Sequence, residues 1–177
     1  MNGVHSDALF RSTHAAITFA FAIAQYPIIK VSSLMREMRG GVMERPHDAM
    51  SSHDWHAQGA MIRAHVERMP HPEGDYIIAA YSWGPQRRDA MVKIVDYVIP
   101  LVGGGIVKRH LIRELVWRYV SLGRQGCKSL RQIARELGVP RSSVQHWEGK
   151  VRNAMDGIRT RAEAHIEEHF RRSGLVA

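Results

Sequence analysis

Apolar residues recur at three- and four-residue steps through most of the chain beyond residue 50, as expected of helices that bury one face. Between Asp54 and Met69 the stripe is Trp55, Ile62, Val66 and Met69, with Gln58 and Gly59 a weak place near its start. Pro70 and Pro72 end it. Asp75 can cap a short second helix from Tyr76 to Trp83, stopped by Gly84-Pro85. Its apolar run also fits a strand, but no partner strand is in sight. A third helix is expected from about Gln86 to Ile99, with Ala90, Ile94, Tyr97 and Val98 on one side and Pro100 closing it. A fourth runs from about Ile106 to Leu122 along Leu111, Leu115, Tyr119 and Leu122. Near the C-terminus, Val151, Met155, Ile158, Ala162, Ile166 and Phe170 draw one line, so a long helix continues to about Arg172 despite Gly149 and Gly157. The fold class is all-α.

The stretch from Ser129 to Trp147 carries more than periodicity. Ser129 can accept from the free amides at a helix start, and Gln132 can reach back, forming a capping box. Ile133 and Leu137 face inward, and Ala134 is small where two helices cross. Gly138 suits a left-handed helix end, Val139 fills the corner, and Pro140 suits the start of a new helix. Val144 and Trp147 then pin that second helix. These constraints at fixed offsets describe a helix-turn-helix. Its outward face is Arg141, Ser142, Gln145 and His146, with Lys150 one turn on. In the major groove Arg141 suits guanine and Gln145 adenine. Lys128, Arg131, Lys150 and Arg152 are candidate phosphate contacts, which position a protein without reading sequence.

Charge agrees with this placement. The chain has a formal net charge of +8. Residues 1–105 hold ten Lys/Arg and ten Asp/Glu, whereas residues 106–177 hold fifteen and seven. The whole excess therefore lies in the C-terminal part, which favours a polyanionic partner there. The single cysteine, Cys127, excludes an intrachain disulfide and any zinc finger of paired cysteines, and fits a reducing, cytoplasmic setting.

Residues 1–49 are set apart as an N-terminal extension of open status. The run from Ala15 to Ala24 has the apolar look of a signal peptide, but its positive flank is poor. It is too short to span a bilayer, so no membrane partner is expected. A packed helix, and a segment preceding an internal start such as Met35, Met38, Met43 or Met50, are the other readings. Residues 50–105 form a helical part and residues 106–177 the DNA-binding part. Gly103-Gly104-Gly105 is either a hinge between the two or a tight loop within one domain.

The segment Arg113-Glu-Leu-Val-Trp-Arg-Tyr119 followed by Ser129 to Trp147 resembles region 4 of the sigma factors, over about sixty residues. Nothing in residues 1–105 resembles the rest of a sigma factor. The same module occurs in small phage regulators, namely Q-class antiterminators and AlpA-type regulators, which the chain resembles in size, helical character and C-terminal placement of the module. The resemblance implies double-stranded DNA as a partner, recognised through Arg141, Ser142, Gln145 and His146. It also implies RNA polymerase, with its sigma factor, as the target on which an antiterminator is loaded. A conventional activator or repressor and a phage DNA-packaging recognition subunit are the alternatives. The packaging alternative is disfavoured because such chains tend to carry the motif near the N-terminus.

Catalysis finds little support. The histidines His47, His53, His56, His65 and His71 crowd one region, and His53 and His56 have a spacing metals use, but no acidic or thiol ligand completes a set. The spacing around Gly103–Gly105 is wrong for a phosphate loop. No nucleophile has a convincing base. The expectation is a non-enzyme without metal or cofactor.

Overall fold

The computed structural model describes residues 8–25, 50–104, 108–121 and 127–176. Among them are seven α-helices: α1 (Thr13–Ile23), α2 (Ser52–Arg68), α3 (Glu73–Tyr81), α4 (Gly84–Leu101), α5 (Arg109–Val120), α6 (Leu130–Leu137) and α7 (Arg141–Arg172). The only strand-like feature among the described residues is an isolated parallel bridge between Phe10 and Val176. The run at Tyr76 is helical, as the absence of a pairing strand demanded. No described helix is long and apolar enough to cross a membrane.

Packing divides the chain into two units at places other than residues 49 and 105. One unit combines residues 1–69 with 163–177, and the other is the continuous stretch 70–162. Helix α7 contributes to both. By sequence, the first unit carries nine Lys/Arg and nine Asp/Glu, and the second sixteen and eight. They are called the neutral and the basic unit below.

In the neutral unit α1 packs on α2. Ser12 caps α1, accepting from the Ala15 amide at 3.2 Å. Ala16, Ile17, Phe19, Ala20, Phe21 and Ile23 are buried, so the apolar run at Ala15 is a packed core helix. Phe10, Phe19 and Trp55 form a cluster of rings with centroids 5.2–6.3 Å apart. The weak place in the α2 stripe has a packing reason. A Cβ on Gly59 would lie 2.6 Å from Ile23 Cγ2 and 3.6 Å from Ala20 Cα, so α1 approaches where α2 has no side chain. Arg63 reaches over to donate to the Ala20 carbonyl at 2.6 Å. The internal starts at Met35, Met38 and Met43 fall outside the described residues.

In the basic unit α3 packs on α4, α4 on α5 and α5 on α6. Several helix ends differ from the sequence expectation: α3 stops at Tyr81 rather than Trp83, and Gly84 and Pro85 open α4. Helix α3 begins at Glu73, before Asp75, and α4 continues through Pro100 to Leu101. The glycine run then forms a packed helix end within this unit. The Gly104 amide donates to the Ile99 carbonyl at 3.0 Å, and the Gly103 amide to that of Pro100 at 3.2 Å. A Cβ on Gly104 would lie 2.2 Å from Ile112 Cδ1, so α5 closes on it. Gly103 and Gly104 thus fit the tight-loop alternative; Gly105 lies outside the described residues. Ile112 and Val116 are wholly buried on α5 beside the expected Leu111 and Leu115.

Candidate nucleic-acid interface

Helix α6 starts at a closed capping box. The Gln132 amide donates to Ser129 Oγ at 3.2 Å, and Gln132 Oε1 accepts from the Ser129 amide at 2.7 Å. It ends at Gly138, whose φ of 62° and ψ of 29° are left-handed. An L side chain there costs roughly 1–2 kcal/mol. The Val139 amide donates to the Ala134 carbonyl at 3.0 Å and the Gly138 amide to that of Arg135 at 3.4 Å, the paired bonds of a Schellman end. The Pro140 carbonyl then accepts from the Val144 amide at 3.2 Å, which places the proline just ahead of α7.

Most of the expected core residues of this corner are withdrawn from solvent. Ile133, Ala134, Val144 and Trp147 are buried, and Leu137 and Val139 are half-buried. Gly138 is exposed, as a turn glycine can be. The stripe continues along α7 with Val151, Met155, Ile158, Ala162, Ile166 and Phe170 all buried.

On the opposite side of the first turns of α7, Arg141, Ser142, Gln145 and His146 are all exposed. The His146 ring stands edge-on to Trp147, with centroids 5.9 Å apart. Arg141 and Arg131 are exposed and have no ion-pair partner among the described residues. Lys150 is exposed, with its ammonium 4.8 Å from the centre of the Trp147 ring, and Lys108 places a second ammonium 4.3 Å from that ring. The negative face of the indole thus gathers positive charge beside the corner.

Two of the expected phosphate contacts already have partners. Lys128 Nζ lies 2.6 Å from Glu136 and 2.9 Å from Glu114, and these carboxylates, Glu136 foremost, push its pKa up. Arg152 pairs with Glu148 one turn away. Carboxylates thus neutralise part of the charge of these two cations, whereas Arg131 and Lys150 have no carboxylate partner among the described residues.

Sequence reasoning missed the ties that hold this corner. Arg118 on α5 donates to the Lys128 carbonyl, fixing the segment that leads into α6. Tyr119 donates to Asp156 on α7; burial first, then this bond, raises the phenol pKa. Arg161 on α7 donates to the buried Glu73 at 2.6 Å. Nothing in the local sequence pattern names these partners, which lie 10 to 88 positions apart.

Two of the clustered histidines have partners other than one another. His65 stacks on His169, with centroids 3.4 Å apart and planes 5° from parallel, and lies 6.1 Å from His165. His71 bonds to Asp75 at 2.6 Å instead. Among the described residues no three His, Cys, Asp or Glu side chains are placed to hold a metal ion. His47 lies outside the described residues.

No protein-family model matches the chain, and no curated protein sequence matches it.

Proposed function

We propose that this chain binds double-stranded DNA through a helix-turn-helix formed by α6 and the first turns of α7, and regulates transcription. The observation that carries the proposal is the exposed set Arg141, Ser142, Gln145 and His146 on a helix whose opposite side is pinned by Val144 and Trp147. The closed capping box and the left-handed Gly138 support it, because they fix where α6 starts and ends through local hydrogen bonds and backbone conformation. The basic unit supports it a second time, since it contains the entire charge excess. Arg141 and Gln145 are assigned to base edges, and Arg131 and Lys150 to phosphates ahead of Lys128 and Arg152.

The likeness of the α5–α7 sequence to sigma region 4 supports a cytoplasmic role at promoters, with RNA polymerase as the second partner. In that scheme DNA binding is a loading step, and the protein then makes polymerase pass terminators.

Selection of bound duplexes from a random pool tests the first step. A defined site should emerge, and Arg141→Ala should lose its preference at one position. A pool that stays random would reject sequence-specific recognition. Transcription through a terminator placed behind that site tests the second step. Binding without read-through would make the protein a conventional activator or repressor.

A further inference from the structure

A cleft of about 460 Å³ opens in the basic unit between α4, α5 and the segment at Cys127 and Lys128. That is within the range of small-ligand sites, ~300–1,000 Å³. Its lining is largely apolar through Val92 and Trp117, yet it also holds Arg88, Arg113, Arg118 and Lys128 against one carboxylate, Glu114. Val92 is 55% exposed, although it is a large aliphatic in the middle of a helix. Glu114 is held by Lys128 at 2.9 Å and Arg113 at 3.5 Å, so it offers no free negative charge. Arg88 has no ion-pair partner among the described residues.

We infer that this cleft seats an unpaired nucleotide of a single-stranded nucleic acid, with the base against Trp117 and Val92 and its phosphates on Arg88 and Arg113. An indole, one face of which carries the Arg87 guanidinium 5.7 Å from its centre, and two arginines along the same cleft match a base and its phosphodiester better than an isolated anion, which has no use for the apolar wall. A base within a duplex is stacked and paired, so the occupant is single-stranded. An acidic, apolar peptide segment shares part of this chemistry. The nucleotide is favoured because Lys128 both lines the cleft and leads into α6, which makes the cleft continuous with the proposed DNA surface. The inference rests on the nucleic-acid reading of the basic unit, but not on α7 entering a groove.

The test is fluorescence anisotropy of a labelled oligothymidylate of about twelve nucleotides, within the usual site sizes. The full-length protein should bind it, and Val92→Asp, at an exposed position, should weaken binding about tenfold or more. The double variant Arg88→Gln with Arg113→Gln should lower the slope of log affinity against log salt by about 1.4, roughly 0.7 per phosphate contact. Both should keep the wild-type melting temperature and the wild-type affinity for the selected duplex. Arg141→Ala should do the reverse, losing the duplex and keeping the oligothymidylate. If the wild type binds the oligothymidylate but no duplex, the helix-turn-helix reading falls and this one stands. The inference is overturned if the variants bind the oligothymidylate like the wild type, or if the wild type ignores it and binds a peptide of alternating glutamate and tryptophan.

Discussion

The neutral and basic units are made of the same kind of amphipathic helix, and they spend their cations differently. In the neutral unit Arg171 and Arg172 sit one turn from Glu167 and Glu168, each 2.6 Å away, and Arg63 is committed to a backbone carbonyl. Its ring cluster and its histidine stack are devices of packing. In the basic unit Arg88, Arg131 and Arg141 stand exposed without carboxylate partners among the described residues. The net positive charge lies in the basic unit, which favours a polyanion there, while the neutral unit also exposes Arg68 without a carboxylate partner among the described residues.

The largest expected effect separates the two cores. Phe19→Ala and Trp147→Ala should each cost roughly 3–5 kcal/mol, read by urea denaturation. Trp147→Ala should also abolish duplex binding, whereas Phe19→Ala should keep it wherever the basic unit remains folded. Equal loss of binding in both variants would show that the contrast between the units is false.

Next in size is recognition itself. Arg141→Ala should cost about 1–3 kcal/mol in duplex affinity, measured by anisotropy on the selected site. Arg171→Ala, in the neutral unit, should leave that affinity unchanged. A comparable loss in both would spread the interface over both units.

Gly138→Ala should destabilise by roughly 1–2 kcal/mol, since its φ of 62° is left-handed and nothing lies within 4 Å of a new Cβ. A neutral result in thermal melting would mean that the turn relaxes to another conformation.

Acid sharpens the comparison from the other side. Burial first, then His169, His165 and Arg68, lowers the His65 pKa from 6.5 to about 4. The folded protein therefore takes up this proton less readily than the unfolded chain. The contribution of His65 to stability is full above pH 6.5 and is lost as pH falls toward 4. Denaturation midpoints across this window should fall for the wild type and fall less steeply for His65→Leu. Parallel profiles would remove His65 as the cause.

The smallest effect expected is at Arg131. Arg131→Gln should lower the salt slope of duplex binding by about 0.9 without altering base preference.

What could be read from the sequence followed from local physics. The capping box at Ser129 and Gln132, the glycine end at Gly138 and the stripe from Val144 to Phe170 each depend on neighbours within one or two turns. The burial of Ile133, Val144 and Trp147 followed from spacing alone. What could not be read depends on distant partners. The sequence marks Gly59 as a gap in a stripe, and only the approach of α1 explains it. Lys128 reads as a free cation until Glu114, fourteen positions earlier, is placed beside it. The histidines cluster in sequence near His56 and His65, yet the partner of His65 is His169. The boundary expected at residue 105 followed the charge, whereas packing divides the chain at residue 69 and again inside α7.

That second division has a consequence for how the chain is made. The basic unit is one continuous stretch, so all of it has been synthesised before residue 163 is added. The neutral unit needs residues from both of its segments: the Phe10 amide bonds to the Leu175 carbonyl at 2.8 Å, and His65 stacks on His169. Chains are built from the N-terminus at about 5–20 residues per second. For several seconds α1 and its apolar face wait without residues 163–176, which the basic unit does not need. Synthesis thus supplies every residue of the basic unit before the neutral unit has all of its own.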